Sequence, residues 1–225
     1  MDKVKFTVIT PTLGKRPDLL AKLVLSIAAE EERSGIQAVT KLILSDGPES
    51  LVTLINRGCK KAFEETPDNV ILYLADYLEV ENGLFTGIKN KISMDDMEGG
   101  NEELWINIPV TNIEGTKPGC FWAITPKALE LFPDQQVQCP DYHHFFADTE
   151  LAVAAEIMGI DRYASVGVTA THPNAKNVPK DETYKASRTH KEWDAGMWKK
   201  RTAEGLVWGP AFRELTTEEE RPWLH

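Results

Sequence analysis

The first third of the chain alternates between strand and helix patterns, and this alternation constrains the fold more than any other feature. Residues 5–10 are rich in β-branched and aromatic side chains, and from Pro17 the apolar residues recur at helical spacing. The segment 41–45 predicts a second strand, residues 51–62 a second helix, and 70–75 a third strand. Short connections between such elements predict parallel strands that are joined by right-handed crossovers.

Polar residues stand where each of these three predicted strands ends. The first strand runs into Pro11 and Thr12, the second into Asp46, and the third into Asp76. Ligands of open parallel sheets bind beyond the carboxyl ends of the strands. The sequence therefore predicts two carboxylates at the ligand-binding edge.

The second half of the chain has a less regular pattern. It predicts a surface loop at 93–104, strands at 104–110, 119–124 and 163–168, a short helix from Thr125, a helix from Asp148 to Gly159, and a helix within 182–203.

Composition and charge exclude several classes of protein. Apolar residues make up 42% of the chain, which excludes global disorder. A net charge of −10 argues against nucleic acid as a partner, and no apolar run approaches the roughly 20 residues of a membrane span. The chain enters a strand directly and carries three cysteines without zinc-site spacing. We therefore expect a reduced, cytoplasmic protein without a signal peptide.

Six motifs follow one another in the order found in family-2-like glycosyltransferases of the GT-A fold, and the chain resembles this family from residue 6 to about 172. The motifs are FTVITPT at 6–12, LILSDG at 42–47, LYLADYLEV at 72–80, GCFWAI at 119–124 with KAL at 127–129, FADTEL at 146–151, and His172.

The resemblance implies an α/β fold: a Rossmann-like three-layer sandwich with a mostly parallel central sheet and a helical C-terminal extension. It implies a GT-A domain at 1–172, with a nucleotide-binding half at about 1–92 and an acceptor half at about 93–172. Residues 173–225 would then form a helical extension that packs on the same domain.

The resemblance also implies a hexosyl- or pentosyltransferase that moves a sugar from a nucleotide-sugar donor, most often a UDP-sugar, to an acceptor that the sequence does not identify. Asp148 would be the general base of an inverting displacement. Asp76, with His172 and Glu79 as further candidate ligands, would hold Mn²⁺ or Mg²⁺ at the diphosphate. The donor would be bound by Pro11, Thr12, Asp46, Asp76 and Trp122.

Each of these residues also has a purely structural interpretation. Asp46 and Asp76 suit turns at strand ends, Asp148 suits a helix N-cap, and Trp122 suits the core. Two departures from the family pattern bear on the chemistry. Tyr77 follows Asp76 where a second acidic residue is usual, which leaves the metal requirement open, and Ala147 replaces the acidic neighbour of the base.

Basic residues are locally in excess near the C-terminus, with six basic and two acidic residues in 185–201. Lys185, Arg188 and Lys191 are therefore candidates for neutralising a diphosphate. The alternative is that they form the solvated face of a helix.

Two other functions remain open at this point. A nucleotidyltransferase shares a similar architecture, but residues 13–16 form only a faint version of a glycine-rich, basic phosphate loop. A catalytically inactive binding protein of the same fold is the other alternative, and Tyr77 and Ala147 favour it. A dinucleotide-dependent dehydrogenase is disfavoured because no G-x-G-x-x-G follows the first strand.

Overall fold

The computed structural model describes residues 4–45, 49–100, 102–111, 120–164, 166–170 and 188–209. The strands are β1 (Phe6–Thr12), β2 (Ala38–Leu44), β3 (Val70–Tyr73), β4 (Leu78–Val80), β5 (Trp105–Asn107), β6 (Trp122–Ile124), β7 (Asp161–Tyr163) and β8 (Val168–Ala170). The helices are α1 (Pro17–Ser34), α2 (Leu51–Glu65), α3 (Leu84–Met97), α4 (Pro126–Glu130), α5 (Ala147–Ile157) and α6 (Lys191–Ala203).

Six of the strands form one mixed sheet in the order β2-β1-β3-β6-β5-β7. Strand β1 pairs in parallel with β2 and β3, and β5 pairs in parallel with β7. Strand β6 is antiparallel to both β3 and β5, and β4 pairs with β8 in a separate two-stranded sheet. The prediction of an α/β fold with a mostly parallel central sheet is confirmed.

Helices cover both faces of the central sheet. All seven residues of β1 are buried, as expected for a strand that is covered on both sides. On one face, a Cβ at Gly58 of α2 would lie 3.1 Å from Ile43 and 3.4 Å from Ile9. On the other face, the ring of Phe6 stacks on that of Phe85 in α3, with 4.8 Å between centroids. The chain therefore has the predicted three layers.

The first half confirms the predicted alternation of strands and helices. Helix α1 begins at Pro17 and ends at Ser34, and the Gly35 that follows has a φ of 66°, in the left-handed region that favours glycine. Helix α2 is capped by Ser50, whose hydroxyl oxygen accepts the backbone N–H of Thr53 at 3.0 Å. The proline, glycine and serine at these positions are local sequence signals, and they define where the helices begin and end.

The surface loop predicted at 93–104 was wrong over residues 93–97, because α3 extends to Met97. The helix is anchored at its start, where Leu84 and Phe85 are fully buried. The buried Glu30 of α1 accepts the backbone N–H groups of Gly83 and Phe85 at 3.0 and 3.2 Å. This cap comes from a distant carboxylate, which the local pattern does not reveal.

The single strand predicted at 163–168 was also wrong, because the chain changes sheets within it. Strand β7 ends at Tyr163, and β8 begins at Val168 in the two-stranded sheet with β4. The predicted strand at 104–110 is shorter for the same reason, since only Trp105–Asn107 pair in the central sheet. Beyond it, Val110 bridges to Val168. Strand β4 was not predicted as a strand.

The helix predicted within 182–203 falls partly outside the described residues. Within them, α6 occupies Lys191–Ala203. None of the helices in the described ranges is both long and apolar enough to cross a bilayer.

Gly167 provides a test of the crossover between the two sheets. A Cβ at this position would overlap the carbonyl oxygen of Pro109, which accepts the Val168 N–H at 3.0 Å. We expect Gly167→Ala to lower the free energy of unfolding by about 1–3 kcal/mol, as overpacking does. The measurement is urea denaturation.

The matched control is Gly196→Ala in α6, where an added Cβ meets nothing within 4 Å. This substitution is expected to stabilise the protein by up to about 1 kcal/mol through helix propensity. Equal denaturation midpoints for the parent and Gly167→Ala would contradict the packing described for the crossover.

Candidate functional site

A hydrogen bond joins the ends of the two central strands at their carboxyl edge. Thr12 is the last residue of β1, and Asp76 follows β3 by three residues. The hydroxyl of Thr12 donates to Oδ2 of Asp76 at 2.6 Å and accepts the Gly14 N–H at 3.1 Å. Thr12 is buried, whereas Asp76 is half-buried. The threonine therefore fixes one oxygen of a partly accessible carboxylate.

A second carboxylate, Asp148, lies in the first turn of α5. Phe146 precedes the helix in a left-handed conformation with φ of 66°, and no side chain caps the helix. The alternative in which Asp148 is the N-cap is therefore wrong. Its Oδ1 accepts the Thr149 N–H at 2.9 Å, and its Oδ2 accepts the thiol of Cys120 at 3.3 Å.

The pairing of β3 with β6 brings these two carboxylates to the same edge of the sheet. The two strands are antiparallel, and Trp122 at the start of β6 pairs with Tyr73 at the end of β3. Cys120, the partner of Asp148, precedes β6 and so lies at the carboxyl end of β3. Phe121 lies against Tyr73 and Tyr77, with ring centroids 5.9 and 6.3 Å away.

Tyr73 and Tyr77 lie close to both carboxylates. Burial is the main cause that raises the pKa of each phenol, and the negative charges of Asp76 and Asp148 raise both pKa values further. The positive charge of Arg16 partly offsets this increase in the pKa of Tyr77. Both side chains are therefore neutral hydrogen-bond donors at neutral pH.

Trp122 belongs to the core. Its side chain is fully buried, and its ring lies 5.5 Å from that of Tyr73. The prediction that it lines the donor pocket is wrong as a direct contact, because the indole has no surface open to a ligand. Pro11 is likewise buried, and it pairs with Ile43 of β2.

Three predicted site residues, Asp46, His172 and Lys185, lie outside the described residues. The other two basic candidates, Arg188 and Lys191, are exposed. They flank His190, whose ring stacks on that of His143 at 4.0 Å.

The described part of the chain offers few candidate ligands for a metal ion. These residues contain no group of three His, Cys, Asp or Glu side chains that is arranged to hold a metal ion. Glu79 pairs with Lys22 of α1 at 3.9 Å. Asp76 offers the carboxylate chemistry that Mg²⁺ and Mn²⁺ prefer. One such carboxylate fits an ion that is held mainly by substrate phosphates.

Sequence reasoning did not select three residues of this edge. Tyr73 lies inside a selected motif, Cys120 lies inside another, and Arg16 follows the loop after β1. Only their position in the chain could have indicated them, since each lies within four residues of Thr12, Asp76 or Trp122.

Glu150, two residues after Asp148, anchors α5 to the C-terminal helix. Its buried carboxylate accepts hydrogen bonds from Tyr142 Oη at 2.6 Å, Arg201 Nη2 at 2.7 Å and the Trp208 N–H at 2.7 Å. Burial disfavours the charged form of Arg201, but the hydrogen bond and charge of Glu150 outweigh it, and the pKa of Arg201 is raised. Arg201 therefore stays protonated at physiological pH.

Removing Arg201 would leave the buried charge of Glu150 without its counterion. We expect Arg201→Met to lower the free energy of unfolding by about 3–5 kcal/mol. Lys200→Met is the matched control, because Lys200 is the exposed neighbour on the same helix, and its effect is expected to stay within about 0.5 kcal/mol. Chemical denaturation of both variants is the measurement, and similar losses in the two would contradict this role of Arg201.

No protein-family model matches the sequence, and no curated protein is significantly similar to it. Solved structures do share its architecture. A glycosyltransferase involved in the glycosylation of the major capsid of PBCV-1 has a TM-score of 0.52 and 11% identity, covering 84% of this chain and 99% of that chain.

Two further structures are similar over most of the chain. A mutant of Drosophila β1,4-galactosyltransferase 7, in complex with manganese, UDP-Gal and xylobiose, has a TM-score of 0.54 and 12% identity, covering 82% of this chain and 80% of that chain. The mannosyltransferase PcManGT from Pyrobaculum calidifontis, in complex with GDP-Man and Mn²⁺, has a TM-score of 0.56 and 13% identity, covering 98% of this chain and 68% of that chain. The chain has the GT-A fold of these glycosyltransferases.

Proposed function

We propose that this GT-A chain is a glycosyltransferase that moves a sugar from a nucleotide-sugar donor to a nucleophilic acceptor. The observation that carries the proposal is that Asp76, bonded to Thr12 beyond β3, and Asp148, bonded to Cys120 before the antiparallel β6, lie at the same edge of the sheet. Asp76 can hold a metal ion at the departing diphosphate, and Asp148 can accept the proton of the incoming nucleophile.

The donor is proposed to bind at the end where β1 and β3 carry Thr12 and Asp76. Ligands of parallel α/β sheets bind at this edge. Two proteins of the same fold were solved with UDP-Gal and GDP-Man, which are both nucleoside diphosphate sugars. We infer that the donor is a UDP-sugar and that the transferred group is a hexosyl or pentosyl group.

Asp148 is the proposed general base. Its carboxylate takes the proton from an acceptor hydroxyl while the acceptor oxygen attacks the anomeric carbon of the sugar. The bond from that carbon to the diphosphate oxygen breaks, and its electron pair leaves with the nucleoside diphosphate. A single displacement of this kind inverts the anomeric configuration. The Cys120 thiol and the Thr149 N–H orient the two carboxylate oxygens.

Asp76 is the proposed protein ligand for Mn²⁺ or Mg²⁺, with His172, outside the described residues, as a second candidate. A bound divalent ion would supply electrostatic stabilisation of the leaving diphosphate. Thr12 holds one oxygen of Asp76 and so directs the carboxylate. The neutral phenols of Tyr73 and Tyr77 lie nearby, and the positive charge of Arg16 acts on Tyr77.

Donor binding is tested by thermal unfolding with UDP, GDP or CDP, each with Mn²⁺ or with chelator. At a nucleotide concentration about a hundredfold above Kd, we expect the parent to be stabilised by about 2.7 kcal/mol. Asp76→Asn is expected to lose most of the Mn²⁺-dependent stabilisation. Asp68→Asn is the control, since Asp68 is an exposed turn residue before β3, at the opposite edge of the sheet.

The same panel separates the alternatives. Preference for a nucleoside triphosphate would favour a nucleotidyltransferase. Binding of none of these nucleotides would favour an inactive protein of the same fold and would remove the proposed function.

Turnover is tested by the release of nucleoside diphosphate from UDP-Gal and GDP-Man with water as the acceptor. We expect Asp148→Asn to lower kcat by about a hundredfold or more, because a positioned general base contributes about 10²–10⁴ to the rate. Binding of the nucleotide is expected to stay unchanged. Glu156→Gln, on the exposed end of the same helix, is the control and should keep the parent rate. Equal rates for Asp148→Asn and the parent would exclude Asp148 as the base.

A further inference from the structure

We propose that Asp194 of the C-terminal helix α6 is a positioning residue for Asp148. It holds the segment that enters α5, and so it fixes where the carboxylate of Asp148 stands. This inference rests on the proposed function, in which Asp148 is the base. It extends the reaction centre to a part of the chain that the sequence analysis linked only to the diphosphate.

The carboxylate of Asp194 accepts hydrogen bonds from three consecutive backbone N–H groups. Its Oδ1 accepts the N–H of His143 at 2.9 Å, and its Oδ2 accepts those of His144 at 3.0 Å and Phe145 at 2.9 Å. The side chain is completely buried. A buried carboxylate is costly unless it is hydrogen-bonded, so these contacts hold the segment firmly.

The segment held by Asp194 leads directly into the turn that carries the base. Phe145 is followed by Phe146, whose left-handed φ of 66° sets the direction in which α5 starts. The carbonyl of Phe146 accepts the Glu150 N–H at 2.8 Å, which closes the first turn of the helix around Asp148. A left-handed non-glycine residue costs about 1–3 kcal/mol and persists only where its surroundings enforce it. Asp194 on one side and the closed turn on the other supply that enforcement.

Helix α6 also holds the chain on the far side of the base. Arg201 binds Glu150, two residues after Asp148, through Nε at 3.0 Å and Nη2 at 2.7 Å. Asp148 therefore lies between two anchors that belong to one helix. The two anchors restrict both the entry to α5 and its first turn.

His144 is connected to both carboxylates: its backbone N–H binds Asp194, and it precedes Asp148 by four residues. His144 is half-buried, and burial lowers its pKa, while the charges of Asp148 and Asp194 both act to raise it. Both carboxylates therefore lie near the same imidazole. His143 also faces Asp194, with its Nδ1 at 3.3 Å from Oδ1.

The test compares Asp194→Asn with Glu192→Gln. Both substitutions remove one negative charge from the first turn of α6, but Glu192 is exposed and the described structure gives it no contact with residues 143–145. Asp194→Glu keeps the charge with a longer side chain and serves if Asp194→Asn does not fold. All rates are measured with UDP-Gal and GDP-Man, per folded molecule, well below the melting temperature.

Asp194→Asn is expected to lower kcat by roughly tenfold to a hundredfold, as a displacement of about 1 Å can, while the KM for the donor stays at the parent value. Asp194→Glu should recover part of kcat, and Glu192→Gln should match the parent. A structural role alone would lower the melting temperature without lowering kcat per folded molecule, and kcat would then show no recovery in Asp194→Glu.

A double-mutant cycle with Asp148→Asn decides whether Asp194 acts through the base. If it does, Asp194→Asn should cause little further loss in the Asp148→Asn background. Losses that multiply in the double variant, or a parent-like kcat in Asp194→Asn, would overturn the proposal. Failure of the parent itself to bind or turn over any nucleotide sugar would instead overturn the proposed function, and this inference with it.

Discussion

The antiparallel pairing of β3 with β6 is the contact on which the rest of the site depends. Without it, the first half of the chain would present Thr12 and Asp76 at the ends of β1 and β3 without Asp148 at the same edge. Because β6 runs back along β3, the residues just before it, including Cys120, lie beside the end of β3. Cys120 then meets Asp148, which comes from a helix more than seventy residues beyond Asp76.

The sequence predicted those parts of the fold that depend on local signals. The alternation of β1, α1, β2, α2 and β3 followed from apolar spacing and from Pro17 at the start of the first helix, and the caps Gly35 and Ser50 that the structure shows are local as well. The sequence did not predict α3, which depends on the distant Glu30, or the division between β7 and β8, which depends on a change of sheet. Both misses arise from contacts between residues far apart in the chain.

For the site, motif order led to Asp76 and Asp148 but not to their surroundings. The sequence could not reveal that Tyr77, which departs from the family pattern, lies within the influence of both carboxylates. Nor could it reveal that Glu150 and Arg201 form a buried pair, since the first-turn acid and the last-turn base of two helices each have an adequate local interpretation. Burial, which the residue type alone does not determine, decides between these interpretations.

The hydrogen bond between Cys120 and Asp148 places a thiol that can be labelled chemically next to the proposed base. None of the three cysteines forms a disulfide bond, but Cys59 and Cys139 are buried, and burial raises the pKa of Cys139 to about 12. Cys120 is only half-buried, so a maleimide should label it first. Protection of Cys120 from labelling would then report that a ligand occupies the site. This readout can screen acceptor molecules before any product has been identified.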